Sequence, residues 1–283
     1  MRLHNALRKT RLVLVGDVDQ LPPVGPGKPF ADLIASGHVP VARLTEVHRS
    51  KAESWVCTQA PRVLRGELPD MRGPRGDFAW HPVPSVADVV GKVVALARAA
   101  DEAGRELQVL APQRGGLAGV DALNRSLQAA LNPQRPGAAS WGRKEERIYL
   151  GDRVIQTSND YRLEVMNGEV GDVDKLTDSE LVVDFGDGRR VTYTKPASKA
   201  LHLAYALTTH KSQGSEWPWV CVVAHSTHTF MLSRALFYTA ITRARDGVLL
   251  VGDEEGVRHA VKNARDASRN SSLVMRLEEG GAA

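Results

Sequence analysis

The sequence predicts an α/β fold, a buried sheet interrupted by a small β-rich insert. Three observations lead there. Short runs such as Arg11–Val15 (RLVLV) and Val248–Val251 are rich in leucine and β-branched residues, and they stop at Gly-Asp turns, as strands buried on both faces do. Between such runs lie segments with apolar residues at helical spacing, clearest at Val86, Val89, Val90, Val93, Val94 and Ala97. From Ile148 to Lys195 the pattern changes to short β-type runs separated by the turn signals Gly151-Asp152, Asn167-Gly168 and Gly186-Asp187-Gly188.

In chain order, Arg11–Val15 is expected to be a strand of a buried parallel sheet. A strand so near the first residue implies that it is an edge strand, or that the rest of its sheet lies upstream of this chain. Gln20–Gly27 is too rich in proline and glycine for helix or strand. Phe30–Ala35 reads as a short helix, Gly37–Pro40 as a break and Val41–Leu44 as a strand or linker. Residues 52–66 read as helix and 69–84 as loop. Ser85 is expected to cap the helix that begins at Val86. Leu107–Ala111 reads as a strand, 117–131 as a helix closed by Asn132-Pro133, and 134–146 as a polar linker. After the β insert, helix-and-strand patterning resumes near Leu201. Trp219–Ala224 and Val248–Val251 are its strands, with a helix over 230–244 between them.

Composition narrows the class. The 283 residues suffice for about two domains. With 42% apolar and 25% charged residues, the chain is neither disordered nor fibrous. A net charge of +4 permits a nucleic-acid partner without indicating one. Cys57 and Cys221 form no disulfide framework or zinc spacing. No run approaches the roughly 18 apolar residues of a membrane helix, and no signal-peptide core opens the chain. A cytoplasmic protein without membrane contact is expected.

Four blocks carry the chemistry. The first, Gly16-Asp17-Val18-Asp19-Gln20-Leu21-Pro22-Pro23-Val24-Gly25-Pro26-Gly27, is a polar tip on an apolar run, where open α/β sheets bind ligands. Gln20 can both donate and accept, which suits a group reading a terminal phosphate or an attacking water. Gly-Asp alone reads as a surface turn, and it is the whole string that points to a ligand site. The second, Leu44-Thr45-Glu46-Val47-His48-Arg49, places an arginine at a possible strand end. By itself that is a solvated charge. The third, Thr208-Thr209-His210-Lys211-Ser212-Gln213-Gly214-Ser215-Glu216, is dense in donors and suits a nucleic-acid backbone held without base readout. The fourth, Leu236–Arg245, puts Tyr238 and Thr242 on one helical face with Arg243 at the helix end. There an arginine meets developing γ-phosphoryl charge, or simply complements the helix dipole. Of the tryptophans, Trp217 beside the third block is the one placed to stack a base.

In this order the blocks resemble motifs III, IV, V and VI of superfamily 1B helicases, specifically RecD-like ATP-dependent DNA helicases, and the related helicase parts of TraA-type relaxases. Ala111–Gly119, Leu123-Asn124, Gly151–Gln156 and Asn167-Gly168 resemble that family too. The resemblance implies RecA-like P-loop lobes with ATP between them and a small SH3-like β-barrel inserted in the second lobe. Residues 1–40 are then the end of the first lobe, 41–146 and 198–283 the second, and 147–197 the barrel. It assigns Gln20 and Arg49 to γ-phosphate sensing and Arg243 to the arginine finger. Gly16, Asp17, Gly214 and Glu216 fall on the nucleotide side, and Thr208, His210, Ser212 and Arg114 near single-stranded DNA. The family's glutamine after the motif IV arginine is Ser50 here.

No GxxxxGK[ST] string occurs, and Gly25-Pro26-Gly27-Lys28-Pro29 lacks both amide donors and the hydroxyl residue. Nothing acidic precedes Asp17. The chain is therefore expected to be the C-terminal half of a 5′→3′ helicase, inactive alone, with the main ATP and Mg²⁺ ligands supplied by an N-terminal half or a P-loop partner chain. Two other readings remain open: a non-catalytic DNA-binding or regulatory module, and a subunit completing another chain's ATP site.

Overall fold

The computed structural model describes residues 12–23, 25, 27–44, 53–143, 145–268 and 271–280. The first described helix is α1 (Pro29–Ala35), whose proline occupies the first turn, where a missing amide costs nothing. Helix α2 (Trp55–Leu64) is capped by the Ser54 side chain, which accepts from the Cys57 amide at 3.2 Å. Then come β1 (Phe78–Pro82), α3 (Val86–Glu102), β2 (Leu107–Ala111) and α4 (Val120–Leu131). The insert contributes β3 (Trp141–Arg143), β4 (Glu146–Ile148), β5 (Arg153–Gln156), β6 (Val170–Leu176), β7 (Leu181–Asp184), β8 (Arg190–Tyr193) and β9 (Leu201–Leu203). The chain continues through β10 (Ala206–Thr208), β11 (Trp217–Ala224), α5 (Arg234–Ile241), β12 (Ala244–Gly252), α6 (Glu254–Lys262) and α7 (Leu273–Gly280).

Five strands form one parallel sheet in the order β1-β12-β11-β2-β10. Its central strands are apolar on both faces because helices cover both. Val220 and Val222 pack with residues of α2, α5 and α6, whereas Cys221 and Val223 pack with residues of α3 and α4. Trp55 and Phe78 stack at 4.0 Å and close the first of these cores at the β1 edge.

The insert is a separate antiparallel sheet, β8-β7-β6-β5-β9, with the β3–β4 hairpin beside it. Its core gathers Trp141, Ile148, Val154, Leu181, Tyr193 and Leu203. It meets the parallel sheet where β9 passes into β10 across Ala204 and Tyr205. Among the described residues no helix is long and apolar enough to cross a membrane.

Several elements differ from the sequence reading. Residues 12–15 form no strand, and Leu12, Val13, Leu14 and Val15 are exposed, because no described strand lies beside them. Of the two readings of Val41–Leu44, the structure keeps the linker and not the strand. Residues 134–146 are not simply a linker: Trp141 is buried in the insert core and β3 pairs with β4. Leu201–Leu203 belongs to the insert's sheet, so the α/β pattern returns only at Ala206. The segment read as loop contains β1, an edge strand paired along Phe78–Pro82 with β12. The helices are shorter than the 117–131 and 230–244 windows, and Ser85 precedes α3 without a side-chain capping bond. Trp217 is 4% exposed within the core, which removes it as a base-stacking surface.

Candidate nucleotide and nucleic-acid site

The strap from Gly16 to Pro23 docks on the amino edge of the parallel sheet. Asp17 starts a tight turn by accepting from the Asp19 amide at 2.9 Å. The other Asp17 oxygen accepts from the Gln20 amide nitrogen at 3.1 Å and from the Tyr238 hydroxyl at 3.2 Å. Burial first, then the neighbouring Asp17 charge, push the Asp19 carboxyl upward, while Arg43 opposes them. Leu21 is the anchor. Its side chain enters the core with 7% exposure, its N–H donates to Thr239 Oγ1 at 2.8 Å, and its carbonyl accepts from Gln213 Nε2 at 2.8 Å. Gly16 lies against Phe30, where an added Cβ would sit 3.2 Å from the ring.

Arg243 follows α5 and is 5% exposed. Its Nη2 donates to Gln20 Oε1 at 3.0 Å, its Nη1 to the Ser215 carbonyl at 3.1 Å and its Nε to the Thr239 carbonyl at 3.2 Å. One guanidinium thus joins the first, third and fourth sequence blocks. Gln20 and Arg243 are brought together; Arg49 lies outside the described residues. Gly214 has φ +86°, a conformation that favours glycine and lets the chain turn back towards Ser215. Glu216 is exposed at the start of β11. Beside the strap opens a cleft of about 360 Å³ whose lining includes Asp17, Asp19, Gln20, Lys28, Arg234 and Asp266.

The opposite, carboxyl edge carries the second half of the site. Thr208 ends β10, and the following turn closes on it: the amides of Lys211 and Ser212 donate to its carbonyl at 2.9 and 3.2 Å. Thr209 and Ser212 are buried, and the Ser212 hydroxyl donates to the Thr209 carbonyl at 2.8 Å. Ser212 therefore holds the turn from inside. His210 is half-buried, and Arg114, on the loop after β2, is exposed and paired with Asp121 at 3.0 Å. Partial desolvation, then the nearby Arg114 charge, lower the pKa of the Lys211 ammonium, against Glu146 and Asp121. Residues 209–216 run from the carboxyl end of β10 to the amino end of β11, so one short connection touches both halves of the site.

Sequence reasoning did not assign Thr239, Gln213, Ser215 or Lys211 to the site. Thr239 stands four residues before Arg243, one helical turn away, and Gln213 and Lys211 lie inside the donor-rich block. The signals were present, but the partners were not. Ser215 acts through its carbonyl, which no side-chain pattern reveals.

As to an ATP site, the donor set fits one end of a triphosphate: an amide that donates and accepts, beside a rigidly held guanidinium. Lys28-Pro29 opens a seven-residue helix with proline at its first position, so it is not a phosphate-cradling loop.

Residues 123–185 match the ATP-dependent RecD-like DNA helicase SH3 domain, residues 203–251 the UvrD-like helicase C-terminal domain, and residues 2–71 an AAA domain. The chain is 40% identical over 267 residues to the ATP-dependent RecD2 DNA helicase of Deinococcus radiodurans, covering 94% of this chain and 36% of that protein. It is 35% identical over 296 residues to the RecBCD enzyme subunit RecD of Mycolicibacterium smegmatis, covering 99% and 52%. Among solved structures, Pif1 helicase from Candida albicans matches with a TM-score of 0.52 at 16% identity, over 94% of this chain and 67% of that one. Bacteroides Pif1 bound to ssDNA matches with a TM-score of 0.51 at 16% identity, over 96% and 67%.

A RecA-like parallel sheet with an SH3-like insert and a UvrD-like C-terminal region defines a superfamily 1 DNA helicase fold. Within that class the chain belongs to the RecD-like family. It spans between about a third and a half of the length of these two curated relatives.

Proposed function

We propose that this chain is the C-terminal motor half of an ATP-dependent 5′→3′ DNA helicase acting in the cytoplasm on single-stranded DNA. Gln20, Arg49 and Arg243 sense and stabilise the γ-phosphate, and Gly16, Asp17, Gly214 and Glu216 shape that side. Thr208, His210 and Arg114 face the DNA backbone, joined by Lys211, while Ser212 supports the turn. ATP supplies the free energy of translocation when bound. The phosphate-binding loop and the Mg²⁺ carboxylates come from an N-terminal half or a P-loop partner chain. The domain division at residues 40, 146 and 197 is part of this reading, with Trp141 and Leu201–Leu203 joining the barrel.

The observation that carries it is the Arg243–Gln20 contact at 3.0 Å, since it ties two of the three assigned γ-phosphate groups into one rigid unit. The test has two arms. The purified chain should hydrolyse little ATP with or without single-stranded DNA, and rapid DNA-stimulated turnover would refute the half-motor reading. It should bind labelled oligo(dT) in fluorescence anisotropy. Arg114→Ala and Lys211→Ala should each lower the log–log salt slope by about one unit or less. Unchanged slopes would remove the DNA assignment of that edge.

A further inference from the structure

The insert is tied to the parallel sheet by a short passage and a buried carboxylate. Only Ala204 and Tyr205 separate β9 from β10. Asn124 of α4 grips both sides of this passage: its Nδ2 donates to the carbonyls of Leu203 at 3.2 Å and Ala206 at 3.0 Å, and its Oδ1 accepts from the Ala206 amide at 2.7 Å. Beside it, Asp152 has no exposed surface. Its carboxylate accepts from Gln128 Nε2 at 2.5 Å and Asn132 Nδ2 at 2.7 Å, both at the end of α4. It also accepts from the Tyr149 amide at 2.7 Å and the Tyr205 hydroxyl at 2.8 Å.

These four donors come from three places: the α4 end, the insert's own turn, and the passage into β10. Across the same joint Gln128 Nε2 and Asn132 Nδ2 also donate to the Arg147 and Leu150 carbonyls of the insert at 2.8 and 2.9 Å, and Arg153 pairs at 2.7 Å with Glu106, which is 46% exposed. Such an exposed pair contributes little, whereas a buried carboxylate with four donors is costly to disturb. The Thr208–Gln213 turn begins directly after β10, so whatever fixes Tyr205 also fixes where that turn stands relative to the insert.

We propose that Asp152 is a positioning residue for single-stranded DNA binding: it clamps the SH3-like insert and the β9–β10 passage onto α4, so that insert and Thr208–Gln213 turn move as one body. The inference rests on the nucleic-acid reading of that turn.

The test uses the whole chain with spin labels at Asp178→Cys in the insert and Arg98→Cys on α3, in a Cys57→Ser background. The parent should give a narrow label-to-label distance distribution. Asp152→Asn, which turns an amide N–H₂ towards the donors, should broaden it. Tyr205→Phe, which removes one donor and keeps the ring, should broaden it less and serves should the first variant fail to fold. Oligo(dT) affinity should fall with the broadening, by about fivefold for Asp152→Asn. Unchanged widths in folded variants, or broadening with unchanged affinity, would overturn the proposal. A parent chain that does not bind oligo(dT), while its variants still broaden, would instead remove the nucleic-acid reading and leave the clamp without a DNA role.

Discussion

Arg243 and Asp152 are both buried ionic groups, and each is hydrogen-bonded to several neutral partners. Arg243 donates to two carbonyls and the Gln20 amide oxygen; Asp152 accepts from two amides, a backbone N–H and a phenol. The difference lies in what the partners belong to. The oxygens around Arg243 come from three sequence blocks that meet only in the folded chain, at the edge assigned to the nucleotide. The donors around Asp152 come from a helix end, the insert's own turn and the β9–β10 passage, at a joint between two sheets. Dipoles can hold a charge in either place, and the location decides whether that charge waits for chemistry or fixes a geometry.

This contrast sets the largest expected effect. Arg243→Ala removes three charge-assisted hydrogen bonds and leaves the Thr239 and Ser215 carbonyls and the Gln20 amide to find other partners. The expected loss of unfolding free energy is about 3–4 kcal/mol, read by urea denaturation. Arg243→Lys should recover only part of it, because an ammonium cannot span the same fork. Full recovery would mean that charge alone matters there. Asp152→Ala should cost less, about 2–3 kcal/mol, since removing the carboxylate also removes its desolvation penalty and Gln128 and Asn132 can turn to water. A cost above that of Arg243→Ala would reverse the comparison.

His228 shows a third way to treat a buried titratable group. It is 2% exposed, and its Nδ1 has no hydrogen-bond partner among the described residues. Burial first, then the neighbouring His225, lower its pKa from 6.5 to about 4, with Asp253 opposing. Here the charge is given up rather than solvated. On acidification the unfolded chain takes up this proton first. Its contribution to stability is therefore complete above about pH 6.5 and is lost towards pH 4, at roughly 1.4 kcal/mol per unit. Burial raises the pKa values of Glu146 and Asp253, but hydrogen bonds with His202 and Leu203 and with Ser226 and Gly256 outweigh it and hold both below the ordinary carboxylate values of 4.5 and 3.8, so their contributions are lost only at more acidic pH. His228→Gln should flatten the profile of unfolding free energy between pH 6.5 and 4.5, and an unchanged slope would place its origin elsewhere.

How much of this was legible depends on whether a pattern carries its partner with it. Strands β2, β11 and β12 were legible because burial on both faces leaves a continuous apolar run. The same logic misread Leu12–Val15: an apolar run is buried only where something covers it, and no described strand does. The Trp141 hairpin was hidden by a polar, glycine-containing stretch in which one aromatic supplies the packing, and β1 by flanking prolines and arginines. Gln20 and Arg243 were legible through their motif strings. Their direct contact, the gripping of Leu21 by Thr239 and Gln213, and the burial of Ser212 were not, since each depends on a fold-level juxtaposition of distant segments.

The smallest effect is the most local. Thr239→Val keeps the shape of a fully buried side chain and deletes the oxygen that accepts from Leu21 N–H at 2.8 Å. The expected cost is about 1–2 kcal/mol, that of one buried donor left unmade. The expected effect is local, because the lost bond belongs to the strap, whose described hydrogen bonds to the lobe include those of Leu21, Gln20 and Asp17. Hydrogen exchange should then quicken at the Leu21 amide while β11 and β12 keep their protection. If instead protection falls across the parallel sheet, the strap is part of the lobe's core. Arg243 would then stand within a single folding unit rather than at a seam between two.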